Sequence, residues 1–235
     1  MFSPQGPSLR ELTVQALSSV ERGYDLLAPK FDHTPFRTPV SILDATTAAL
    51  AARGPFAAGL DVCCGTGAGL GVLESVVDGR VAGVDFSAGM LDQARRAHPG
   101  AELRRGDVRK LEFDAEFDLA VTFGALGHFL PAERPAVFAG VYRALRPGGL
   151  FAFPINEPPS VASVAHWVML GFDTVMRVRN FVWRPPFVMY YRITGVAALT
   201  ADLAAAGFTV GTEPLPALGN LASGGPRFRM VLARK

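Results

Sequence analysis

The sequence predicts an α/β fold, in which a doubly wound parallel sheet carries helices on both faces. Short apolar runs alternate with segments of helical periodicity between residues 56 and 155, a pattern typical of strands that are buried on both sides. A glycine-rich turn, Gly65 to Gly67, follows the first apolar run, and Asp85 ends the second. The chain of 235 residues is 49% hydrophobic, which suits one domain with a sizeable core.

Two helices are expected before the sheet begins. Ser8 and Glu11 have the spacing of a capping box, and apolar residues follow at helical intervals, so we expect a helix over residues 8–22. Pro39 favours the start of a second helix and the pair Gly54–Pro55 favours its end. This second helix is therefore expected over residues 39–53.

The central part of the chain predicts alternating strands and helices. Ser87 is the expected N-cap of the second of these helices. Because the carboxyl ends of parallel strands meet at one edge of a sheet, the residues that follow the strands should form the ligand site. The strands are expected near residues 57–62, 80–85, 101–106, 117–123 and 149–155, and the helices near residues 67–76, 88–98 and 132–145.

The C-terminal part predicts a further helix over residues 194–206, then strands over residues 208–215 and 228–233 joined by a glycine-rich loop. Residues 156–192 interrupt the alternation. Because they follow the fifth strand, they should lie at the ligand edge of the sheet, where aromatic side chains often line pockets. The alternative is that these aromatic side chains pack in the core. They are Trp167, Phe172, Phe181, Trp183, Phe187, Tyr190 and Tyr191.

The glycine-rich turn and Asp85 together indicate an adenosine-type cofactor. In a βαβ unit such a turn exposes backbone N–H groups at a helix N-terminus, and a carboxylate at the next strand end accepts hydrogen bonds from ribose hydroxyls. The dinucleotide fingerprint requires a third glycine at the position that Leu70 occupies. The spacing therefore argues against NAD(P) and for a cofactor without a pyrophosphate.

Five segments resemble the motifs of the class I S-adenosylmethionine-dependent methyltransferases, in the order of that family. They are LDVCCGTG (60–67), VDFSAGML (84–91), GDV (106–108), FDLAVTF (117–123) and LRPGG (145–149). The resemblance implies a mostly parallel, seven-stranded, Rossmann-like sheet whose last strand is antiparallel, and S-adenosylmethionine as the cofactor.

The same resemblance implies how one domain is organised along the chain. Residues 1–55 are expected to form N-terminal helices that cover the cofactor site, and residues 56–155 the cofactor-binding core. Residues 156–193 are expected to form a helical and aromatic lid around the acceptor. Residues 194–235 then supply the C-terminal helix and the closing strands.

The resemblance assigns the residues around the glycine-rich turn to the cofactor. Gly65 and Gly67 should let the backbone approach its methionine portion, unless they form only an ordinary turn that requires positive φ. Asp61 should orient the N–H groups of the turn or the cofactor's ammonium group. Asp85 should accept hydrogen bonds from both ribose hydroxyls; its alternative role is to cap the helix that follows.

Further residues are expected around the adenine and the sulfonium group. Phe86 and Met90 should flank the adenine, although either could belong to the core. Asp107 should accept a hydrogen bond from the adenine amino group, unless it is only a surface turn residue. The remaining candidates are Thr66 in the turn, Val108 through its backbone N–H, Phe123 and Gly124 through their carbonyls, and Tyr24 as a cap over the site.

His128 is the candidate catalytic residue. It follows the fourth strand, at the same edge as the cofactor motifs, and a histidine with a pKa near its ordinary value could accept a proton from an acceptor hydroxyl or amine. The candidates for acceptor binding in the lid are Trp167, Trp183, Tyr190 and Tyr191.

The composition excludes several classes of partner. A formal net charge of +2 gives no basic footprint for nucleic acid, and no apolar stretch is long enough for a membrane span. The adjacent Cys63 and Cys64 fit small buried residues of a reduced protein, and no export signal is recognised, so a cytoplasmic location is expected. No metal site is expected, and the sequence carries no signal for the oligomeric state.

The predicted activity is the transfer of a methyl group from S-adenosylmethionine to a small organic acceptor by in-line displacement. Such a reaction needs alignment of the reacting atoms more than a strong acid or base. Two alternatives stay open. One is an NAD(P)-dependent oxidoreductase, and the other is a cofactor-binding protein without transferase activity.

Overall fold

Seven strands form one sheet in the computed structural model. They are β1 (Phe56–Val62), β2 (Val77–Asp85), β3 (Glu102–Arg105), β4 (Phe117–Val121), β5 (Leu145–Asn156), β6 (Thr209–Pro214) and β7 (Phe228–Arg234). Their order across the sheet is β3-β2-β1-β4-β5-β7-β6. The five strands β3, β2, β1, β4 and β5 are parallel to one another, and β7 runs antiparallel to both β5 and β6. The predicted sheet, with its antiparallel last strand, is confirmed.

Six α-helices whose bounds lie within the described residues accompany these strands. They are α1 (Val20–Leu27), α2 (Val40–Ala51), α3 (Ala68–Val76), α4 (Ala88–Ala97), α5 (Arg134–Ala144) and α6 (Val196–Ala205). Short 3₁₀ turns lie at Ala28–His33, which has six residues, and at Val108–Lys110, Leu126–His128 and Pro216–Leu218. The structure describes residues 20–156, 195–221 and 223–235 throughout, together with residues 5–8, 10, 11, 14, 18, 167, 168, 170, 171, 174, 175, 178, 181 and 182.

The helix expected over residues 8–22 is interrupted, because Arg10, Glu11 and Val14 are helical but the helix does not run on to residue 22 as one element. The capping box is present, because Ser8 N donates to Glu11 Oε2 at 2.7 Å and Glu11 N donates to Ser8 Oγ at 3.3 Å. Ser18, however, lies in a bend, and α1 starts only at Val20. The Ser18 hydroxyl donates to the Val14 carbonyl at 2.7 Å, an arrangement that bends helices.

Smaller differences concern where strands end. β4 stops at Val121 and not at residue 123, because the Thr122 hydroxyl donates to the Val62 carbonyl at 2.7 Å and Gly124 turns the chain with a φ of +68°. β2 and β5 each begin three or four residues earlier than expected, at Val77 and Leu145. The remaining predicted helices and strands agree with the structure to within two residues at each end.

Apolar side chains cover both faces of the sheet, as a doubly wound sheet requires. Helices α5 and α6 pack on one face, and α2, α3 and α4 pack on the other. Alternate residues of each strand serve the two layers, so Phe151 belongs to the first and Ala152 to the second. Fully buried members of these layers include Phe117, Phe138, Phe151, Leu50, Leu70 and Leu91.

Much of the lid expected over residues 156–193 lies outside the described residues. Trp183, Tyr190 and Tyr191 are among the residues that are not described. The described positions between residues 167 and 182 are helical and exposed, with 62% of Trp167 accessible. None of the helices in the described part of the chain combines the length and the apolar character that crossing a membrane demands.

Candidate functional site

A cavity of about 690 Å³ opens at the carboxyl edge of the sheet. It lies where the strand order changes direction, between β1 and β4, which is the usual ligand position in a doubly wound sheet. Helix α1 and the turn Ala28–His33 contribute to its opposite wall. The cavity brings together Tyr24, Asp61, Gly65, Thr66, Asp85, Phe86, Met90, Asp107, Val108, Phe123, Gly124 and His128.

The glycine-rich turn joins β1 to α3 through left-handed backbone conformations. Gly65 has a φ of +52° and Gly67 a φ of +103°, which explains why glycine stands at both positions. A Cβ atom on Gly65 would meet nothing within 4 Å, so Gly65 faces the open cavity. Gly67 lies behind it, where a Cβ atom would come within 2.5 Å of the His98 ring. Gly67 thus shapes the turn and does not line the cavity.

Asp61 places a buried carboxylate beneath this turn. Its residue exposure is 1%, and neither carboxylate oxygen has a hydrogen-bond partner among the described residues. Burial, and then the charge of Asp85, raise the pKa of Asp61 to about 8. The Gly69 and Leu70 backbone N–H groups lie close enough to oppose this rise in part, but without the geometry of a hydrogen bond. A carboxylate buried without partners is costly, so Asp61 is suited to a ligand that brings a cation or donor.

Asp85 ends β2 and already accepts two backbone hydrogen bonds. Gly65 N donates to Oδ2 and Ser87 N donates to Oδ1, each at 2.9 Å. Burial raises the pKa of Asp85. Because a carboxylate has about four acceptor positions, each oxygen keeps room for one more donor. Ser87 caps α4 itself, since its hydroxyl accepts from Met90 N at 3.1 Å. Asp85 is therefore fixed in place while remaining able to accept from a ligand.

The far end of the cavity carries Asp107, which has a partner that the sequence analysis missed. Its Oδ1 accepts from the Arg109 backbone N–H and from Arg109 Nε, both at 2.9 Å, and its Oδ2 accepts from Arg109 Nη2 at 2.8 Å. The guanidinium lowers the pKa of Asp107. Arg109 Nη1 also reaches Glu133 Oε1 at 2.5 Å. An adenine amino group would meet an aspartate that an arginine already holds.

Helix α1 is held over the cavity by side chains that the sequence analysis did not identify. Asp25 Oδ1 accepts from the Ser87 hydroxyl at 2.6 Å and from Gly89 N at 2.9 Å. Glu21, one turn earlier, pairs with Arg105. The lack of a side chain at Gly89 permits this contact, because a Cβ atom there would lie 2.9 Å from the Asp25 Cα atom.

The turn after α1 is held to the glycine-rich turn as well. The Thr66 hydroxyl donates to Asp32 Oδ1 at 2.7 Å, and Arg37 lies 3.5 Å from the same oxygen. Thr66 is buried. The candidate role of Thr66 therefore includes fixing the cover of the cavity in addition to forming part of the turn.

Tyr24 and His128 meet across the cavity. Tyr24 Oη lies 3.2 Å from His128 Nε2, and the two rings are perpendicular with centroids 6.0 Å apart. The Tyr24 ring also contacts the edge of Phe86, with centroids 5.9 Å apart. Burial lowers the pKa of His128 to about 4, so the imidazole is neutral at physiological pH. The walls near this pair include Phe31, Phe36, Thr38 and Phe129, none of which the sequence analysis selected.

Cys63 and Cys64 are free thiols. Cys64 is buried, as expected, whereas Cys63 is half-buried, and desolvation raises the pKa of both. The described residues contain no cluster of histidine, cysteine and acidic side chains that could hold a metal ion.

Known methyltransferases are similar to this chain in sequence and in fold. Residues 60–149 match the family model described as a methyltransferase domain. An uncharacterized methyltransferase of Synechocystis sp. is 31% identical over 171 residues, which cover 69% of this chain and 71% of that protein. The dTDP-3-amino-3,6-dideoxy-α-D-glucopyranose N,N-dimethyltransferase of Streptomyces fradiae is 39% identical over 129 residues, covering 52% of this chain and 49% of its own.

A solved structure extends the comparison to the whole fold. The complex of DhpI with SAH superimposes with a TM-score of 0.67 at 21% identity, covering 97% of this chain and 98% of DhpI. At this level of identity the similarity concerns the fold alone.

Proposed function

Since the chain belongs to the class I S-adenosylmethionine-dependent methyltransferases, we propose that it methylates a small organic acceptor bound beside Tyr24 and His128. The enzyme uses S-adenosylmethionine as its methyl donor.

The observation that carries this proposal is the pair of buried carboxylates under the glycine-rich turn. Asp61 is buried without a hydrogen-bond partner among the described residues, and Asp85 retains acceptor capacity on both oxygens. An ammonium group and two ribose hydroxyls supply the donors that these acids need. Gly65, whose Cβ position is open, leaves space for the ligand between them. The residues present therefore fit the cofactor.

The protein's contribution is to hold and align the reactants. The cofactor supplies a methyl group on a positively charged sulfur when it is bound. Phe123 and Gly124, at the end of β4, would border that group with their carbonyls, and α1 would limit the access of water. Alignment of two bound reactants can account for about 7–11 kcal/mol of a barrier, so no strong general catalyst is required.

His128 is proposed to accept the proton that the acceptor loses. It lines the cavity beyond β4, and its low pKa leaves the ring neutral and able to accept a proton. The relative from Streptomyces fradiae methylates an amino sugar according to its name, and this chain spans about half of that protein's length. That similarity supports a small-molecule acceptor and leaves its identity to experiment.

Transfer of label from methyl-labelled S-adenosylmethionine to pooled phenols, amines and thiols would test the proposed function. We expect labelled product with the wild-type protein and with Asp78→Asn, a change at an exposed position of β2. Asp85→Asn should give little product at low cofactor concentration. Tight cofactor binding without transfer to any pool would support the alternative of a non-catalytic binding protein.

A further inference from the structure

The contact between Tyr24 and His128 joins two elements that are far apart in sequence. Tyr24 belongs to α1 and His128 to the turn that follows β4, yet Tyr24 Oη and His128 Nε2 are 3.2 Å apart. Both residues line the cavity at the carboxyl edge of the sheet, where the methyl group of the cofactor is expected. The phenol oxygen is thus available both to the cavity and to the imidazole.

The position of Tyr24 is fixed on both sides. Glu21 pairs with Arg105, and Asp25 accepts hydrogen bonds from Ser87 and Gly89. The Tyr24 ring rests against Phe86. These contacts of α1 and of the ring keep the phenol oxygen in one place beside His128.

The cavity that contains the pair has several aromatic walls. Phe31, Phe36 and Phe129 line it. The two nearby glutamates are already paired, Glu21 with Arg105 and Glu133 with Arg109. The carboxylates of this cavity that keep acceptor capacity, Asp61 and Asp85, are the ones proposed to hold the cofactor. Aromatic walls whose two glutamates are already paired suit a neutral acceptor better than an ammonium ion.

We propose that Tyr24 and His128 form a proton relay for an acceptor that carries a hydroxyl group on an apolar, aromatic framework. This inference rests on the proposed function and adds to it the acceptor class and a second residue at the reacting atoms. Tyr24 would contact the acceptor oxygen, and His128 would act through Tyr24.

The relay balances protons and electrons. As the acceptor oxygen forms its bond to the methyl carbon, the carbon–sulfur bond breaks and its electron pair stays on sulfur. The acceptor proton passes to Tyr24 Oη while the Tyr24 proton passes to His128 Nε2. The products are a methyl ether, a neutral thioether and a protonated His128, so the single positive charge of the site is conserved.

This conservation of charge explains how a buried histidine can serve as the final proton acceptor. Burial lowers the pKa of His128 to about 4, which keeps the ring neutral before reaction. When the sulfonium loses its charge, protonation of the ring replaces one buried cation by another. The cost of creating an additional charge in a dry site is thereby avoided.

Hydroxyl acceptors are the class that gains most from such a relay. A neutral amine has a free electron pair and can react before it loses a proton, and a thiol ionises readily near neutral pH. Phenols and alcohols are weak nucleophiles until the proton is removed. General-base assistance is worth about 10²–10⁴-fold in such cases.

The direction of the Tyr24–His128 hydrogen bond can be tested without turnover. In the ligand-free protein labelled with ¹⁵N-histidine, the His128 signal is assigned as the one of four that His128→Gln removes. We expect an unprotonated Nε2 whose shift changes in Tyr24→Phe and stays the same in Tyr142→Phe. A protonated Nε2 would mean that Tyr24 accepts the hydrogen bond, and would overturn the relay.

The acceptor class is tested with phenols of graded acidity, from para-cresol to para-nitrophenol, at one mildly alkaline pH. We expect Tyr24→Phe and His128→Gln to lower kcat/KM for para-cresol by roughly 100-fold. The loss for para-nitrophenol, which ionises unaided, should be less than about threefold on the same scale. An equal loss for both phenols would indicate a merely structural role. Tyr142→Phe and His33→Gln serve as controls.

The outcomes also separate this inference from the proposed function. If the wild-type protein methylates none of the phenols but does methylate aliphatic amines or thiols, the hydroxyl assignment is wrong and the proposed function stands. If it methylates no member of any panel while binding the cofactor, the proposed function fails together with the relay.

Discussion

Asp61 lowers the stability of the ligand-free fold and is proposed to contribute to cofactor binding. Its pKa rises from an ordinary 3.8 to about 8 because burial and Asp85 oppose its ionisation. The folded chain therefore binds this proton more tightly than the unfolded chain does. Protonation of Asp61 therefore stabilises the ligand-free fold. This stability is fully present below pH 3.8 and is lost as the pH rises from 3.8 to about 8. A ligand cation would reverse the penalty.

Cofactor binding should consequently release a proton from Asp61. Near neutral pH the Asp61 carboxyl group is protonated in most ligand-free molecules, and the ammonium group of a bound cofactor favours its ionised form. Calorimetric titration in two buffers of different ionisation enthalpy measures the number of protons released, which we expect to approach one. 5′-Methylthioadenosine, which lacks the ammonium group, should release none, and Asp61→Asn should abolish the release. Equal release with both ligands would contradict the assignment.

Asp85→Ala tests the ribose contacts in the same way. Two hydrogen bonds to a charged acceptor are lost, each worth about 1.5–3 kcal/mol, so cofactor affinity should fall by roughly 100-fold or more. Asp78→Ala, at an exposed position of the same strand, should leave the affinity unchanged. If a folded Asp85→Ala protein binds the cofactor with unaltered affinity, Asp85 does not bind the ribose and serves only to fix the glycine-rich turn and the start of α4.

At the scale of elements, α1 is held over the cavity by carboxylates. Asp25 lies 62 residues from Ser87 and 64 from Gly89, yet its side chain satisfies donors at the start of α4. Such donors are otherwise unpaired at a helix N-terminus. A bond of this kind joins the cover of the cavity to its wall, so the cover and the cofactor should stabilise each other.

Asp25→Ala should therefore loosen α1. Loss of a capping side chain costs about 0.5–2 kcal/mol, and we expect cofactor affinity to fall by a similar free energy. Hydrogen exchange at the amides of α1 and of Gly89 would report the loosening directly. Asp44→Ala, on the exposed side of α2, is the matched control. Unchanged exchange in α1 would show that other contacts hold it.

The elements also show what the sequence could and could not predict. The strands and helices of the core can be predicted from the local pattern of apolar residues. The turn at Gly65 to Gly67 can be predicted because glycine tolerates positive φ. The partners of Ser87, Thr66 and Asp107 could not be found in this way. Asp25, Asp32 and Arg109 are ordinary charged residues in sequence, and their roles arise only from three-dimensional contact.

The role of residues 156–193 as a lid around the acceptor remains a prediction. If it forms a lid, Trp183→Ala and Tyr191→Ala should lower acceptor kcat/KM while cofactor affinity stays within a few-fold. If these side chains belong to the core, Tm should instead fall by about 2–4 °C for each kcal/mol lost, with both ligands affected together. Measuring Tm and both affinities on the same variants distinguishes the two roles.

On the scale of the whole molecule, the sheet separates two tasks. The acids proposed for the cofactor lie at or beside the carboxyl ends of β1, β2 and β3. His128 follows β4, on the other side of the position between β1 and β4 where the strand order changes direction. The family model covers residues 60–149 and so ends before the segment expected to bind the acceptor. This division explains why the sequence identifies the cofactor more readily than the acceptor.

The identity of the cofactor gives an expectation for the stability of the entire fold. At a hundred times its dissociation constant, S-adenosylmethionine or S-adenosylhomocysteine should add about 2.7 kcal/mol to the free energy of unfolding. NADH should add nothing, because Leu70 stands where a dinucleotide site needs glycine. Thermal denaturation with each compound measures this. Stabilisation by NADH alone would favour an oxidoreductase.

The unpartnered carboxylate of Asp61 has a consequence for the life of the protein in a cell. A chain that carries this penalty when empty spends more time unfolded, and unfolded chains are removed by proteases. Cofactor occupancy should therefore set how long each molecule survives. When the supply of S-adenosylmethionine falls, the enzyme would become scarcer as well as idle, and its abundance would follow the metabolite that it consumes.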